Sequence, residues 1–171
     1  GGIRKQIEAG DITLDDIYSV HPFGNTMCVI RVTGQQVLDA LEWGARAVPS
    51  ENGGFLQVSG LTYEIHTGVA SSAEKDENGM FTRVSGEYRV KNVMVGGQPL
   101  ELDKTYTLAS HNYMLLGHGD GYTMFDGCEV LGEDMMVDNQ VLITYITTTL
   151  GGVVGEQYAN PYGDGRIVAV E

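Results

Sequence analysis

A glycine-rich polar stretch at residues 110–125, SHNYMLLGHGDGYTMF, holds the side chains best suited to chemistry or binding. Tyr113, His118 and Asp120 lie within it and are separated by glycines. Glycine adopts backbone angles closed to other residues and lets a ligand approach the main chain. A strand-like run at residues 105–109 precedes the stretch. The pattern predicts a ligand-binding loop, although a tight surface turn has the same composition.

A second loop, HPFGN at residues 21–25, follows a predicted helix that its proline ends. Phe23 in this loop and Tyr113 could hold a flat ring between them, and stacking contributes roughly 1–3 kcal/mol per base. Asn25 and Asp120 could hydrogen-bond the edge of the ring or an attached sugar. Arg4, preceded by two glycines, could bind a phosphate. Each residue also has a structural alternative: the aromatics as core residues, Asp120 in a turn, and Arg4 in solvent.

His118 and Asp120 raise the alternative of a metal site or a self-sufficient hydrolase, whose turnover would depend on metal or pH. The four histidines lack the zinc-binding i, i+4 spacing with an intervening glutamate. Gly-x-Ser-x-Gly, the phosphate-binding Gly-Lys-Ser/Thr loop and the dinucleotide-binding glycine pattern are also missing from the sequence. We therefore expect no metal site and no catalytic residue in this chain.

Composition restricts the class of partner. The 171 residues are 42% hydrophobic and are expected to form one domain over 1–171. The net charge is -13 and no Lys/Arg cluster occurs, which argues against nucleic acid and against membrane contact. Cys28 and Cys128 are too few for a disulfide scaffold, and the sequence leaves a bridge between them open. No targeting or membrane-spanning segment is found, and the missing initiator Met suggests a piece of something longer.

The apolar periodicities predict helices and strands in mixed order. Helices are expected at 3–9, Leu14–Val20, 34–48 after a Thr-x-x-Gln capping box, and from 138 to the glycines at 151–152; strands at 26–32, 55–65 with a break at 60, 84–95, 105–109 and 166–170; a Gly-Gly hairpin turn at 96–97 with its return at 100–103; and a polar loop at 71–81. This order is typical of an α+β fold with mixed sheets layered with helices, not of a regular βαβ series.

Four motifs occur in a distinctive order: GGIR at 1–4, HPFGN at 21–25, GGFLQVSG at 53–60, and NY followed by GHGDGY at 112–122. In this order the chain closely resembles the C-terminal domain of the 5′-nucleotidase family. That family includes UDP-sugar hydrolases, ecto-5′-nucleotidases and 2′,3′-cyclic-nucleotide phosphodiesterases. The helix from residue 138 and the closing Gly-Arg-Ile also fit, so the resemblance covers essentially the whole chain.

The resemblance implies a substrate-binding role for six positions. These are phosphate binding by Arg4, base stacking by Phe23 and Tyr113, contacts beside the base by Asn25 and Gly53, and ribose binding by Asp120. Tyr113 stands where many members have Phe. The interval between Tyr113 and Asp120 is one residue longer than in the ecto-enzymes, which puts the ribose contact in doubt.

The resemblance further implies an N-terminal metallophosphatase domain that holds two divalent metal ions. Its signatures, Asp-x-His, Gly-Asn-His-Asp/Glu and His-x-His, do not occur in this sequence. We therefore expect the chain to bind a nucleotide or nucleoside, to need that domain for hydrolysis, and to be extracellular, periplasmic or on the cell surface. The alternative is a non-catalytic module that binds carbohydrate or a cell surface through the same aromatics.

Overall fold

A computed structural model describes residues 1–160 and 163–171. Its strands are β1 (Met27–Thr33), β2 (Leu61–His66), β3 (Ala73–Lys75), β4 (Phe81–Val84), β5 (Val90–Val95), β6 (Gln98–Pro99), β7 (Thr105–His111), β8 (Glu129–Gly132) and β9 (Ile167–Val170). Its α-helices are α1 (Leu14–Val20), α2 (Gly34–Ala45), α3 (Asn112–Leu115) and α4 (Asp138–Thr144). A π-helical turn at Tyr145–Thr149 extends α4, and 3₁₀ turns lie at Gly119–Gly121, Thr123–Phe125 and Glu156–Tyr158.

Three sheets carry the strands of the described residues. The first has the order β7-β1-β8 and is antiparallel, with Met27 opposite His111 and Thr33 opposite Thr105. The second has the order β6-β5-β2-β9, in which β9 runs parallel to β2 and the other pairs are antiparallel. The third is the β3-β4 hairpin. The predicted α+β class with mixed sheets is confirmed.

Helix α2 begins at the predicted capping box and packs its apolar face between the sheets. The Thr33 hydroxyl accepts a hydrogen bond from the Gln36 amide at 3.2 Å, and the Gln36 side chain accepts from the Thr33 amide at 2.8 Å. The same Gln36 side chain donates to the Met124 carbonyl at 2.9 Å. The helix therefore starts where one side chain links it to the 123–125 turn of the core.

Two charged residues are buried between α2 and β5, Glu42 within the helix and Arg89 directly before the strand. Glu42 is 0% exposed and Arg89 is 4% exposed. The Glu42 carboxylate accepts from the Val90 amide at 2.9 Å, and the Arg89 guanidinium donates to the carbonyls of Val48 at 2.8 Å and Ala45 at 3.3 Å. Burial raises the pKa of Glu42, while main-chain donors and the charge of Arg89 oppose that increase. Arg89 thus bonds main-chain carbonyls at and just after the end of α2, and Glu42 bonds the first amide of β5. Together these bonds join the helix to the second sheet.

Several predicted elements are wrong in detail. Residues 3–9 are not helical; the Arg4 amide instead donates to the Val20 carbonyl at 3.0 Å, so this segment runs beside the end of α1. A seven-residue helix is unstable without a packing partner, and most of this segment is exposed. The predicted polar loop at 71–81 contains β3 and its turn, because the Asp76 side chain accepts from the Asn78 and Met80 amides.

Other boundaries shift by a few residues. Of the predicted strand at 84–95, residues 90–95 form β5 and only Val84 belongs to a strand before it, β4. The hairpin return is the short β6 at Gln98–Pro99 and not residues 100–103, and β2 begins only at Leu61. Helix α4 does begin at Asp138, but Val137 is its N-cap and the Asp138 carboxylate accepts from the next amide, that of Asn139. Cys28 is a buried free thiol and Cys128 a half-buried one, so the possible bridge is not formed. Among the helices of the described ranges, none has the length and apolar character needed to span a membrane.

Candidate functional site

The paired ends of β1 and β7 bring the two predicted binding loops together. The Asn112 side-chain oxygen accepts from the Thr26 amide at 3.1 Å and from the Tyr113 amide at 2.9 Å. The Asn112 amide donates in turn to the Thr26 carbonyl at 2.8 Å. Since Thr26 follows the loop that carries Phe23, one asparagine connects that loop to the helix that carries Tyr113.

Both aromatic side chains of these loops are exposed. Phe23 is 60% exposed and Tyr113 is 48% exposed, whereas Trp43 and Tyr122 are buried. The structural alternative of two core residues is therefore wrong for Phe23 and Tyr113. Exposed aromatics on adjoining loops are typical of a stacking site.

Arg4 lies against the first of these aromatics. Its guanidinium carbon is 5.6 Å from the centroid of the Phe23 ring, within the range of a cation–π contact. One guanidinium nitrogen also donates to the Gly1 carbonyl at 3.3 Å. The remaining N–H groups of this exposed side chain leave it able to bind an anion.

The glycine pair at 53–54 connects the N-terminal segment to the Asp120 loop. A Cβ added to Gly1 would lie 2.2 Å from the Gly53 carbonyl oxygen, and one added to Gly54 would lie 3.0 Å from the Asp120 Cβ. The Tyr122 hydroxyl donates to the Gly54 carbonyl at 2.5 Å. The approach of Gly1 to Gly53 requires a residue without a side chain, and the space between Gly54 and Asp120 is tight, so the glycine pair lies between the segment of Arg4 and the loop of Asp120.

The Tyr113 ring packs against the loop that carries Asp120. A Cβ added to Gly119 would lie 2.2–2.4 Å from three atoms of the Tyr113 ring. The neighbouring Asp120 is exposed, with φ 53° and ψ 19° in the left-handed region. The contacts thus form a closed circuit that runs from Phe23 through Arg4, the 53–54 glycines, Asp120 and Tyr113, and returns through Asn112.

All six predicted site residues lie on this circuit or beside it. Asn25 joins it through the Phe23 loop, and its carbonyl accepts from the Asp138 amide at 2.8 Å. The extra residue between Tyr113 and Asp120 does not separate them, because Gly119 keeps the Tyr113 ring against the Asp120 loop. The roles of the six in binding stay predictions.

The His111 ring packs against the Tyr113 ring. Its Nδ1 accepts from the Met114 amide at 3.3 Å and so caps α3, and its ring centroid is 5.9 Å from that of Tyr113. Burial lowers the pKa of His111, outweighing the opposite influence of Asp138 and Asp120. The capping bond requires an unprotonated Nδ1, so the folded protein favours the neutral imidazole.

The His111 environment predicts a pH dependence of stability. The folded-state pKa of His111 lies below its value of 6.5 in the unfolded chain, so the unfolded state binds more protons as the pH falls. We expect the contribution of His111 to the free energy of unfolding to be complete above about pH 6.5 and to decline below it. Urea unfolding between about pH 7.5 and about pH 5 checks this. His111→Asn retains a capping side chain without a titrating group and should flatten the profile; parallel profiles for the two proteins would contradict the expectation.

Metal ligands are not grouped in the part of the chain that the structure describes. Within residues 1–160 and 163–171, no cluster of three or more His, Cys, Asp and Glu side chains is placed to hold an ion. His118 Nε2 is 3.8 Å from Asp126 Oδ1, so the ion-pair distance of His118 is to Asp126 and not to Asp120. The resemblance assigns the pair of metal ions to the N-terminal domain and not to residues of this chain.

A separate cleft lies on the exposed side of the second sheet. Its volume is ≈ 490 Å³, and Thr62, Glu64, Asn92 and Val168 are among its lining residues. It shares no lining residue with the circuit described above. This cleft is an alternative surface at which a ligand could bind.

Sequence reasoning gave no role to Asn112, Trp43 or Tyr122. Asn112 is recognisable only as an asparagine between a strand and an aromatic residue, a position where its side chain can bond the local main chain. The Trp43 indole N–H donates to the Asp120 carbonyl at 2.9 Å, across 77 positions of sequence. No local pattern in the sequence signals a contact of that kind.

Comparison with known proteins identifies the chain's relatives. Residues 1–127 match the family described as 5′-nucleotidase, C-terminal domain. The chain is 34% identical over 170 residues, 99% of its length, to the trifunctional nucleotide phosphoesterase protein YfkN of Bacillus subtilis, of which it covers 10%. It is 32% identical over 146 residues, 85% of its length, to a 5′-nucleotidase of Vibrio vulnificus, of which it covers 22%.

A solved structure has the same fold. The crystal structure of a 5′-nucleotidase precursor from Thermus thermophilus matches with a TM-score of 0.78 and 30% identity, over 99% of this chain and 30% of that one. The chain thus spans between a tenth and a third of the length of these relatives. In its sequence and in its fold, the chain belongs to the family of 5′-nucleotidase C-terminal domains.

Proposed function

We propose that residues 1–171 form the nucleotide-binding domain of a two-domain nucleotide phosphohydrolase. The closed circuit of contacts carries this proposal, because it gathers two exposed aromatics, a cation and a carboxylate on one surface. The printed names of the relatives, which are nucleotidases and a nucleotide phosphoesterase, support the substrate class. The small share of each relative that the chain covers supports a further, preceding domain.

The base stacks between Phe23 and Tyr113 in this proposal. Each ring has about half of its surface free, and their loops are held in register by Asn112. Gly53 leaves room for the base beside the N-terminal segment, and the Asn25 side chain supplies a polar contact at its edge. Stacking depends on the π-face that every base has, so this part of the site discriminates weakly among bases.

The charged residues bind the sugar and the phosphate in this proposal. The Asp120 carboxylate accepts hydrogen bonds from the ribose hydroxyls, and the Arg4 guanidinium neutralises phosphate charge. The chain has only 10 basic residues against 23 acidic ones, so its overall field repels a phosphate ester. Local attraction by Arg4 is therefore the larger part of phosphate recognition in this domain.

Hydrolysis belongs to the preceding domain in this proposal. The two divalent metal ions bound there would supply the nucleophilic water. The present chain contributes binding and orientation of the substrate, and we expect negligible phosphatase activity from it alone. We place the whole protein outside the cytoplasm, either secreted, periplasmic or at the cell surface.

Calorimetric titration with adenosine tests the stacking site. Phe23→Ala and Tyr113→Ala should each weaken adenosine binding by about 5- to 150-fold, the equivalent of roughly 1–3 kcal/mol of stacking. Tyr158→Ala is the matched control, because Tyr158 is 47% exposed and its hydroxyl bonds that of Tyr145. The control should bind adenosine like the unmodified chain.

The same titration separates the rival functions. AMP should bind somewhat more tightly than adenosine, and Arg4→Met should remove that difference. A chain that binds a plain hexose, and loses hexose binding but not adenosine binding on Phe23→Ala, would contradict the proposal and support a carbohydrate-binding module. Metal-dependent release of phosphate by the isolated chain would contradict the assignment of hydrolysis to another domain.

A further inference from the structure

The backbone at Asp120 is held in an uncommon conformation. Its φ of 53° and ψ of 19° lie in the left-handed region, which costs a residue with a Cβ free energy relative to the right-handed region. Such conformations persist where surrounding contacts impose them, and they are concentrated at functional sites. The contacts that impose this one therefore bear on what Asp120 does.

The last turn of α2 supplies the first of these contacts. The Trp43 indole N–H donates to the Asp120 carbonyl at 2.9 Å. The indole itself is held on two sides, by the edge of Phe81 with ring centroids 5.7 Å apart and by the Arg46 guanidinium at 3.7 Å from its centroid. Because an indole has a single N–H and no acceptor, this donor has one function in the fold, and it is bonded to Asp120.

Two glycines allow close packing around Asp120: Gly121 lies against the Trp43 indole, and Gly54 lies against Asp120 itself. A Cβ added to Gly121 would lie 2.9 Å from Trp43 Cζ2, and Gly121 has φ +84°. On the opposite side, a Cβ added to Gly54 would meet the Asp120 Cβ at 3.0 Å. The main chain of Asp120 is thus bonded to Trp43 and its Cβ lies close to Gly54, while the residue as a whole stays exposed.

We infer that Trp43 is a positioning residue for sugar recognition: its indole N–H holds Asp120 where the carboxylate accepts the vicinal hydroxyls of a ribonucleoside. This inference rests on the proposed function and names the part of the ligand that the contact serves. Recognition by a carboxylate needs a fixed oxygen position, because a mobile side chain loses rotamer entropy on binding. Trp43 therefore affects the sugar contact and leaves base stacking to Phe23 and Tyr113.

The test is the ratio of the dissociation constants for 2′,3′-dideoxyadenosine and adenosine, measured by calorimetry. The unmodified chain should prefer adenosine by roughly tenfold or more, since two hydrogen bonds to a charged group are at stake. Asp120→Ala should reduce the ratio to about one. Trp43→Phe keeps an aromatic ring but removes the N–H, and it should lower the ratio at least about threefold.

Val32→Ala controls for general destabilisation. Val32 is a buried core residue at the end of β1 opposite the site, where Thr33 pairs with Thr105. It should lower the melting temperature and leave the ratio unchanged. A Trp43→Phe variant with the unmodified ratio would overturn the role of Trp43, even if that variant is less stable. An unmodified chain that binds neither nucleoside would overturn the proposed function itself, and the two failures are therefore distinguishable.

Discussion

Replacing Arg89 by methionine should lower the free energy of unfolding by about 3–5 kcal/mol. Arg89 is 4% exposed and its guanidinium donates to the carbonyls of Val48 and Ala45, so methionine leaves those carbonyls without a buried donor. It also removes the positive charge that favours the ionised form of Glu42, which is 0% exposed. Urea unfolding at neutral pH measures the effect.

Two controls separate burial from charge. Arg83→Met removes an arginine on the surface, where the 2.7 Å ion pair with Glu74 is exposed, and should lower the free energy of unfolding far less than Arg89→Met does. Adding Glu42→Gln to Arg89→Met should recover part of the loss, because glutamine still accepts from the Val90 amide and carries no charge. Equal losses for Arg89→Met and Arg83→Met would show that the buried arginine does not join α2 to the second sheet.

Replacing Asn112 by alanine should abolish the stacking site more completely than losing either aromatic. The substitution removes the acceptor of the Thr26 amide, a bond between the Phe23 loop and α3, and the acceptor of the Tyr113 amide within α3. We expect adenosine binding to fall by more than about 100-fold and the free energy of unfolding to fall by about 1–3 kcal/mol. Calorimetry and urea unfolding measure the two effects on the same sample.

Asn112→Asp is the matched variant, because aspartate keeps the accepting oxygen and the shape of the side chain. It should retain most of the adenosine affinity and most of the stability. If Asn112→Ala lowers stability but binds adenosine like the unmodified chain, the two loops do not depend on this residue for their spacing, and the account of the site is wrong at that point.

The aromatic and charged members of the site were accessible from the sequence because they lie in short motifs. Phe23 and Asp120 stand beside glycine or proline, and Tyr113 follows a predicted strand and precedes the glycines of the same stretch. The contacts that organise them were not accessible. The Asn112 and Trp43 side chains both bond main-chain atoms distant in sequence. Every residue type has the same main-chain atoms, so the sequence does not show which residue is the partner.

The errors in secondary structure have a similar origin. Residues 3–9 have helix-forming composition, but their position is decided by a bond from Arg4 to the end of α1. The β3-β4 hairpin was missed because alanine, glutamate and lysine are poor strand formers, and the turn at Asp76 makes the pairing. In both cases a tertiary or turn contact overrides local propensity.

We propose above all that Phe23, Gly53, Tyr113 and Asp120 form one ligand site. Titrating the isotope-labelled chain with adenosine and following its amide resonances tests this claim most directly. We expect the shifted amides to cluster at residues 23–26, 53–54, 112–113 and 119–121. Shifts confined to Thr62, Asn92 and Val168 in the cleft of the second sheet would contradict it, because a nucleoside would then bind at the competing surface.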